Sequence, residues 1–327
     1  MNVKDITKLM KQAIVNDTNF LLHKDMIIIG ENTSGKSKLL KDLIKALNNN
    51  SIYFIDSKNR TIPIKEGVLG DEFNKFKVEE IVEYRIKPEN FNRRDVFYTG
   101  SGSEIVLGEL IKYNSKYTQL FKDILGINMT YEKSNDFVQD IGEQICIGKD
   151  KLSKISSGIQ SRLRILMEVN YASENNCKVV IIDEFNTNLD YKAASEFFIQ
   201  LKEMYSHIRF IITSHSIYTL RGIDNADVVK IYKEFEEAEE NSCEFFDSKD
   251  LDNLEIIDRK LFSGSSYATQ KNSTDILLSN ILKRVILEEE IDPNLEKDVI
   301  EMQGLTLRQK IVQEYILDRI KVTEKVG

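Results

Sequence analysis

The sequence predicts an α/β protein, a parallel sheet with helices on both faces, and three observations predict it. First, DMIIIG at 25–30 is a short apolar run that ends in glycine, and beyond Lys36 apolar residues recur three and four apart at Leu39, Leu40, Leu43, Ile44 and Leu47. That order reads as strand, loop, helix. Second, VVII at 179–182 and FII at 210–212 are β-branched runs bounded by polar residues, the pattern of strands buried on both faces. Third, Ala193, Ala194, Phe197, Phe198, Leu201 and Met204 lie between those two runs at helical spacing. A strand, a helix and a strand in succession make a crossover, and a crossover joins parallel strands.

The remaining segments take their places around that core. SIYFI at 51–55 reads as another strand, with the polar Asn48 to Asn50 stopping the preceding helix. Residues 58–149 lose the pattern: Pro63, Pro88, mixed charge and scattered aromatics predict an inserted lid or arm leading to the next helix, with no sustained heptad for a coiled coil. After an apolar run at 228–232, the acidic stretch 234–240 reads as a solvated loop or helix face. From 274 to 322 three helix-like segments are broken near Pro293 and Gly304. The expected organisation is a core from 1–57 and 150–233, an insertion at 58–149, and an acidic linker with a helical subdomain at 234–327.

Composition narrows the function classes. A hydrophobic share of 41% with 30% charged residues is that of a folded protein, and no stretch reaches the ~20 apolar residues of a membrane span. The first twenty residues mix Lys4, Asp5, Lys8, Lys11 and Asp17 among apolar ones, which is not the pattern of a secretory leader, so a cytoplasmic location is expected. Cys146, Cys177 and Cys243 are odd in number and widely spaced, which suits isolated thiols rather than a metal site. A net charge of −8 speaks against whole-surface attraction to nucleic acid, though it is compatible with a local basic patch.

Two motifs point to phosphate chemistry. Residues 30–37, GENTSGKS, fit G-x-x-x-x-G-K-[ST] between a strand and a helix. Glycines Gly30 and Gly35 let the backbone N–H groups of the loop, from Asn32 through Ser34 to Lys38, turn toward a phosphate at the helix N-terminus. Lys36 would reach the β- and γ-oxygens, and Ser37 would supply an oxygen to Mg²⁺. Asp183 and Glu184 follow four buried apolar residues, at the carboxyl end of a strand where open parallel sheets bind ligands. Asp183 is expected to hold Mg²⁺ through its water shell and Glu184 to orient or deprotonate the attacking water.

KISSGIQSR at 154–162 opens an amphipathic pattern and resembles the L-S-G-G-Q signature of the ATP-binding-cassette ATPases, with Ser156, Gly158 and Arg162 at the matching positions. Thr187 to Asp190, TNLD, is similar to that family's D-loop, and His215, after the 210–212 strand, to its switch histidine. The resemblance covers about residues 26–215 apart from the insertion. It implies ATP and Mg²⁺ as ligands and a head-to-tail homodimer in which Ser156, Gly158 and Asp190 of one copy face the nucleotide of the other, with Glu184, His215 and Lys36 as the hydrolytic residues.

Departures from the signature indicate a branch. Ser157 replaces a glycine and Ile159 a glutamine, and Phe20 is the one aromatic residue ahead of the loop, too near it to stack on adenine as in transporter cassettes. The chain is more similar to the non-transport branch, the RecF-like, chromosome-maintenance and OLD-type ATPases. The Q-loop glutamine is open among Gln119, Gln139 and Gln144. No credible Toprim nuclease follows, since Asp250 and Asp252 have the spacing without an apolar strand before them. Stand-alone members imply a separately encoded effector, a nuclease or toxin, including in antiviral defence. The alternatives are a transporter's nucleotide-binding subunit and a DNA-repair ATPase gripping duplex through Arg85, Lys87, Arg93 and Arg94.

Overall fold

The computed structural model describes residues 3–47, 51–58, 60–62, 77–92, 110, 114–131, 145–220, 222–232, 241–251, 273–286, 293–303, 305 and 307–324. The chain forms two compact units, Met1–Leu47 with Leu220–Gly327, and Asn48–Thr219. The core expected from the sequence contributes segments to both.

In the first unit, helix α1 (Val3–Val15) precedes strand β1 (Asp25–Ile29) and helix α2 (Lys36–Leu47). Strand β8 (Ala226–Tyr232) runs parallel to β1, pairing Val229 with Ile28, and β9 (Ser242–Asp247) returns antiparallel along β8. Every residue of β1 is buried, as expected for a strand covered on both faces. Helix α1 buries Ile6, Leu9, Met10 and Ala13, a stripe at i, i+3, i+4 and i+7, and packs on α2. The chain between α1 and β1 is held by Asp227, which is 1% exposed and accepts hydrogen bonds from the backbone N–H groups of Leu21, Leu22 and His23 at 3.0–3.2 Å. Among the described residues beyond β9 are three α-helices, Ser273–Ile286, Pro293–Glu301 and Leu307–Glu324, and the first of them packs against α1. They match the three helical segments expected in the tail. The acidic stretch 234–240 lies outside the described residues.

The second unit holds strand β2 (Ile52–Ile55), helix α3 (Val78–Ile86), helix α4 (Asn114–Leu125), the short strands β3 (Met129–Tyr131), β4 (Ile145–Ile147) and β5 (Asp150–Lys151), helix α5 (Ser157–Glu174), strand β6 (Val179–Ile182), helix α6 (Tyr191–Met204) and strand β7 (Arg209–Ser214). β6 pairs in parallel with β2 on one side and β7 on the other, Ile181 lying beside Phe54 and Ile211. The crossover through α6 therefore runs as its sequence predicts. β3, β4 and β5 form a separate antiparallel sheet that runs from the expected insertion into the expected core, since β5 begins at Asp150. Cys177 and Cys243 are buried and Cys146 is half-buried, all as free thiols.

Candidate functional site

In the first unit the loop between β1 and α2 has the shape of a phosphate cradle. Thr33 and Gly35 both take left-handed backbone angles, φ +69° and +92°, so the chain reverses twice before α2 begins at Lys36. Gly30 is required by close approach: a Cβ there would stand 2.5 Å from Ser34 Oγ and 2.6 Å from the Ile231 carbonyl oxygen. Lys36, 7% exposed, folds back along the loop and its Nζ donates to the carbonyls of Gly30 and Glu31 at 2.7 and 2.8 Å. Ser34 Oγ is buried without a hydrogen-bond partner. Ser37 is half-buried in the first turn of α2, while Asn32 and Lys38 are exposed. A helix N-terminus, an ammonium and an orphaned hydroxyl in one turn fit the acceptor-rich oxygens of a polyphosphate.

Asn241 and Ile231 were not singled out by sequence reasoning, yet they brace this loop. Asn241 Nδ2 donates to the Ser34 carbonyl and lies 3.1 Å from where a Cβ on Gly35 would stand. No local motif signals this, because the contact crosses more than two hundred residues of sequence.

In the second unit the end of β6 is tied down by its neighbours. Asp183 is fully buried; its Oδ1 accepts from Thr213 Oγ1 at 2.6 Å and its Oδ2 from Asn92 Nδ2 at 2.9 Å. Glu184 sits at φ +50°, a left-handed conformation that costs a non-glycine residue ~1–3 kcal/mol unless neighbours enforce it. Its backbone N–H donates to Thr213 Oγ1 at 2.7 Å, and its Oε2 accepts from Thr187 Oγ1 at 3.3 Å. Thr213 thus grips both acids with one hydroxyl. His215, exposed just past β7, lies with Nε2 3.4 Å from Asn186 Nδ2, and Asn186 Oδ1 accepts from Ser214 Oγ at 3.0 Å. Asn186 therefore connects the acidic turn to the histidine.

Ser156 is the exposed N-cap of α5, its Oγ accepting from Ile159 N at 3.3 Å. Gly158 packs directly on the next turn of the same unit: a Cβ would stand 2.8 Å from the Asn188 carbonyl oxygen. Ser161 Oγ donates to the Thr187 carbonyl at 3.3 Å. Asp190 caps α6, accepting from Ala193 N at 2.8 Å. Within the second unit, then, Asp183, Glu184, His215, Ser156, Gly158 and Asp190 belong to one set of turns joined by hydrogen bonds and close backbone contacts, whereas residues 30–38 belong to the first unit.

Behind these turns lies a buried ionic network unseen in the sequence. Glu168 on α5 is 0% exposed; its Oε2 accepts from Arg85 Nη1 at 2.7 Å and Tyr53 OH at 3.1 Å, and its Oε1 from Arg164 Nε at 2.9 Å. Burial alone would raise this carboxyl, but Arg85 and Arg164 outweigh it and hold Glu168 below its usual range. Arg60, 1% exposed, donates through Nη2 to the carbonyls of Asp183 and Glu184. Burial pulls its guanidinium down to about 10 against the opposing pull of Asp56, Glu168 and Asp183. Arg60 Nε and Nη1 are buried without partners, and each such donor costs ~1–3 kcal/mol.

Other residues weighed in the sequence take these places. Arg85 does not belong to a basic surface patch: it is 2% exposed and paired with Glu168, while Arg93 and Arg94 lie outside the described residues. Gln119 is exposed on α4 and bonds Asp123; Gln139 and Gln144 lie outside the described residues. A strand does precede Asp250, since β9 ends at Asp247; SCEFFD has too few apolar residues to reveal it. Phe20 is 1% exposed and is thereby unavailable for stacking.

Among the described residues no three His, Cys, Asp or Glu side chains form a metal-ligand cluster. Among the described residues, no helix is long and apolar enough to cross a membrane.

No protein-family model matches the chain, and no curated protein matches it. Among solved structures it is similar to CbiO1 from Clostridium perfringens, part of the ABC transporter complex CbiONQ, at 17% identity over 73% of this chain and 83% of that one, TM-score 0.37. It is also similar to the SMC head domain from Thermotoga maritima, at 18% identity over 64% and 88%, TM-score 0.36. A bacterial Atm1-family ABC exporter with ATP bound matches at 13% identity over 75% of this chain and 38% of that one, TM-score 0.36. The chain is an α/β protein whose neighbours in solved structures are ATP-binding-cassette ATPase domains, an SMC head among them.

Proposed function

We propose that the protein binds and hydrolyses ATP as a head-to-tail dimer of the non-transport cassette type. Two observations, one in each unit, carry this reading. The 30–37 loop has a cradle's backbone, a buried lysine and an orphaned serine hydroxyl, and the Asp183–Glu184 turn is held in a costly conformation by Thr213.

Each residue then has a task. Lys36 exchanges its two carbonyl acceptors for β- and γ-phosphate oxygens, and the loop amides from Asn32 to Lys38 take the β-phosphate at the N-terminus of α2. Ser37 and Asp183 would hold Mg²⁺, and the ion would supply charge neutralisation to the triphosphate. Glu184 accepts a proton from the attacking water, and His215, steadied by Asn186, contacts the γ-phosphate. Ser156, exposed at the tip of α5, offers its hydroxyl and the helix N-terminus to the nucleotide of a second copy, with Asp190 on the same surface. Gly158 supports that tip by letting it pack against Asn188.

Glu184→Gln should bind ATP and hydrolyse it at least ~100-fold more slowly, the scale of a lost general base. Lys36→Ala should lose nucleotide binding, and Ser156→Arg should keep it while losing hydrolysis. A Glu184→Gln protein turning over at the wild-type rate would remove the assignment. The partner on which closure acts is expected to be a separately encoded effector protein, and purification of the tagged protein from its own host, with the bound proteins identified, tests that.

A further inference from the structure

Two residues one helical turn apart on α5, Ser161 and Arg164, each connect to Glu184, the first through Thr187 and the second through Thr61 and Arg60. Ser161 Oγ donates to the Thr187 carbonyl at 3.3 Å, and the Thr187 hydroxyl donates to Glu184 Oε2 at 3.3 Å. Arg164 Nη1 donates to the Thr61 carbonyl at 2.8 Å, and the adjoining Arg60 donates to the carbonyls of Asp183 and Glu184. One path ends on the carboxylate and the other on the backbone that aims it. Residues at i and i+3 share a helix face, so both paths leave α5 from one side.

Arg60 is poorly explained by stability alone. A buried guanidinium with Nε and Nη1 unpartnered is a net cost, which an apolar side chain of similar volume would avoid. What its remaining nitrogen does is brace the one turn in this unit where an acid is held at φ +50°. Arg164 is in turn fixed by Glu168, itself clamped by Arg85, so the far end of the strap is anchored in a buried ionic network.

We propose that Arg60 is a positioning residue for Glu184, and that the Arg60–Thr61 strap, held by Arg164, makes the helix capped by Ser156 and the acidic turn move as one body. This rests on the hydrolytic reading above. Displacement of the helix by a docking second copy would then be felt at Glu184 without any contact between the nucleotide and Arg60.

The test is a set of four proteins, Arg60→Met, Arg60→Lys, Arg164→Met and the double variant Arg60→Met/Arg164→Met, assayed for MgATP hydrolysis, ATP affinity and thermal melting beside wild type and Glu184→Gln. Arg60→Met is expected to lower kcat by roughly 100-fold, the effect of a small misplacement of a catalytic group, with KM and ATP affinity unchanged. Arg60→Lys, keeping a cation and a donor, should recover part of the loss. The double variant should fall no further than Arg60→Met, because both changes break one path. Wild-type kcat in Arg60→Met, a loss confined to KM, or losses that multiply in the double variant would overturn the proposal. If Arg60→Met melts below the assay temperature, Arg60→Lys decides: a lowered kcat at constant KM supports the strap, and an unchanged kcat overturns it. Full turnover by Glu184→Gln would sink the hydrolytic reading and the proposal together, whereas an inactive Glu184→Gln beside fully active Arg60 variants would sink the proposal alone.

Discussion

Replacing Glu168 by Gln is expected to be among the most damaging single changes available in the second unit. The side chain is 0% exposed and receives Arg85 at 2.7 Å, Arg164 at 2.9 Å and the Tyr53 hydroxyl at 3.1 Å. Gln keeps the volume but removes the one negative charge that both guanidiniums share, and its amide NH₂ turns a donor toward donors. Breaking a buried ion pair from one side typically costs ~3–5 kcal/mol. With a urea slope of ~2 kcal/mol/M, the unfolding midpoint should fall by about 2 M. At ~2–4 °C per kcal/mol for a unit of this size, melting should drop by about 10 °C. The control is Glu174→Gln: Glu174 pairs with Lys116 at 2.6 Å, but the two side chains are 49% and 33% exposed, and solvent screening leaves such a pair worth ~1 kcal/mol at most. Urea and thermal melts of the three proteins, followed by circular dichroism, give the comparison. Equal melting of Glu168→Gln and Glu174→Gln would refute the reasoning.

Other outcomes follow from the same geometry. Gly158→Ala puts a methyl 2.8 Å from a backbone oxygen and should cost ~1–3 kcal/mol in a melt, even with no nucleotide present; wild-type melting would mean that the close approach to Asn188 is not real. Asn241→Ala removes the side chain bonded to Ser34 and should weaken ATP binding measured by calorimetry while leaving the melt of the second unit unchanged; an unaltered affinity would show that the loop holds its shape unaided. Glu168 also sets an acid dependence. Its folded pKa lies below the ordinary 4.5, so its stabilisation is fully present above that value and is lost as pH falls through the lower, folded pKa. Melts between neutral pH and strong acid should show wild type losing stability in that range, and a wild-type curve parallel to that of Glu168→Gln would contradict it.

The strands of the core were legible because burial on both faces writes itself as short apolar runs rich in β-branched residues, as in Val179–Ile182 and the centre of Arg209–Ser214. α1 was not assigned from the sequence, although Ile6, Leu9, Met10 and Ala13 have helical spacing, because interspersed lysines and aspartates break up its apolar stripe. β9 was not assigned from the sequence because SCEFFD shows neither an unbroken apolar run nor a strict alternation; only Cys243 and Phe246 are buried in it. The residues of the candidate site that occur in contiguous motifs, 30–38, 156–158, 183–190 and 215, could be read directly. Thr213 lies between the 210–212 run and His215, and its role comes from the fold, which sets its hydroxyl between Asp183 and Glu184. Asn92, Arg60 and Asn241 could not be read at all, since each acts across a distance in sequence that no spacing rule spans. Arg85 misled for the opposite reason: a charged residue beside Lys87 reads as surface, and only its partner Glu168, eighty-three residues away, explains its burial.

The central claim is that one nucleotide is held by two copies of the chain. Sedimentation equilibrium of Glu184→Gln with MgATP measures it: the mass should rise from 37.8 kDa without nucleotide to about twice that with it, and adding Ser156→Arg should return it to the single-chain value while ATP stays bound. A Glu184→Gln protein saturated with ATP that sediments as a single chain at every concentration would contradict the account.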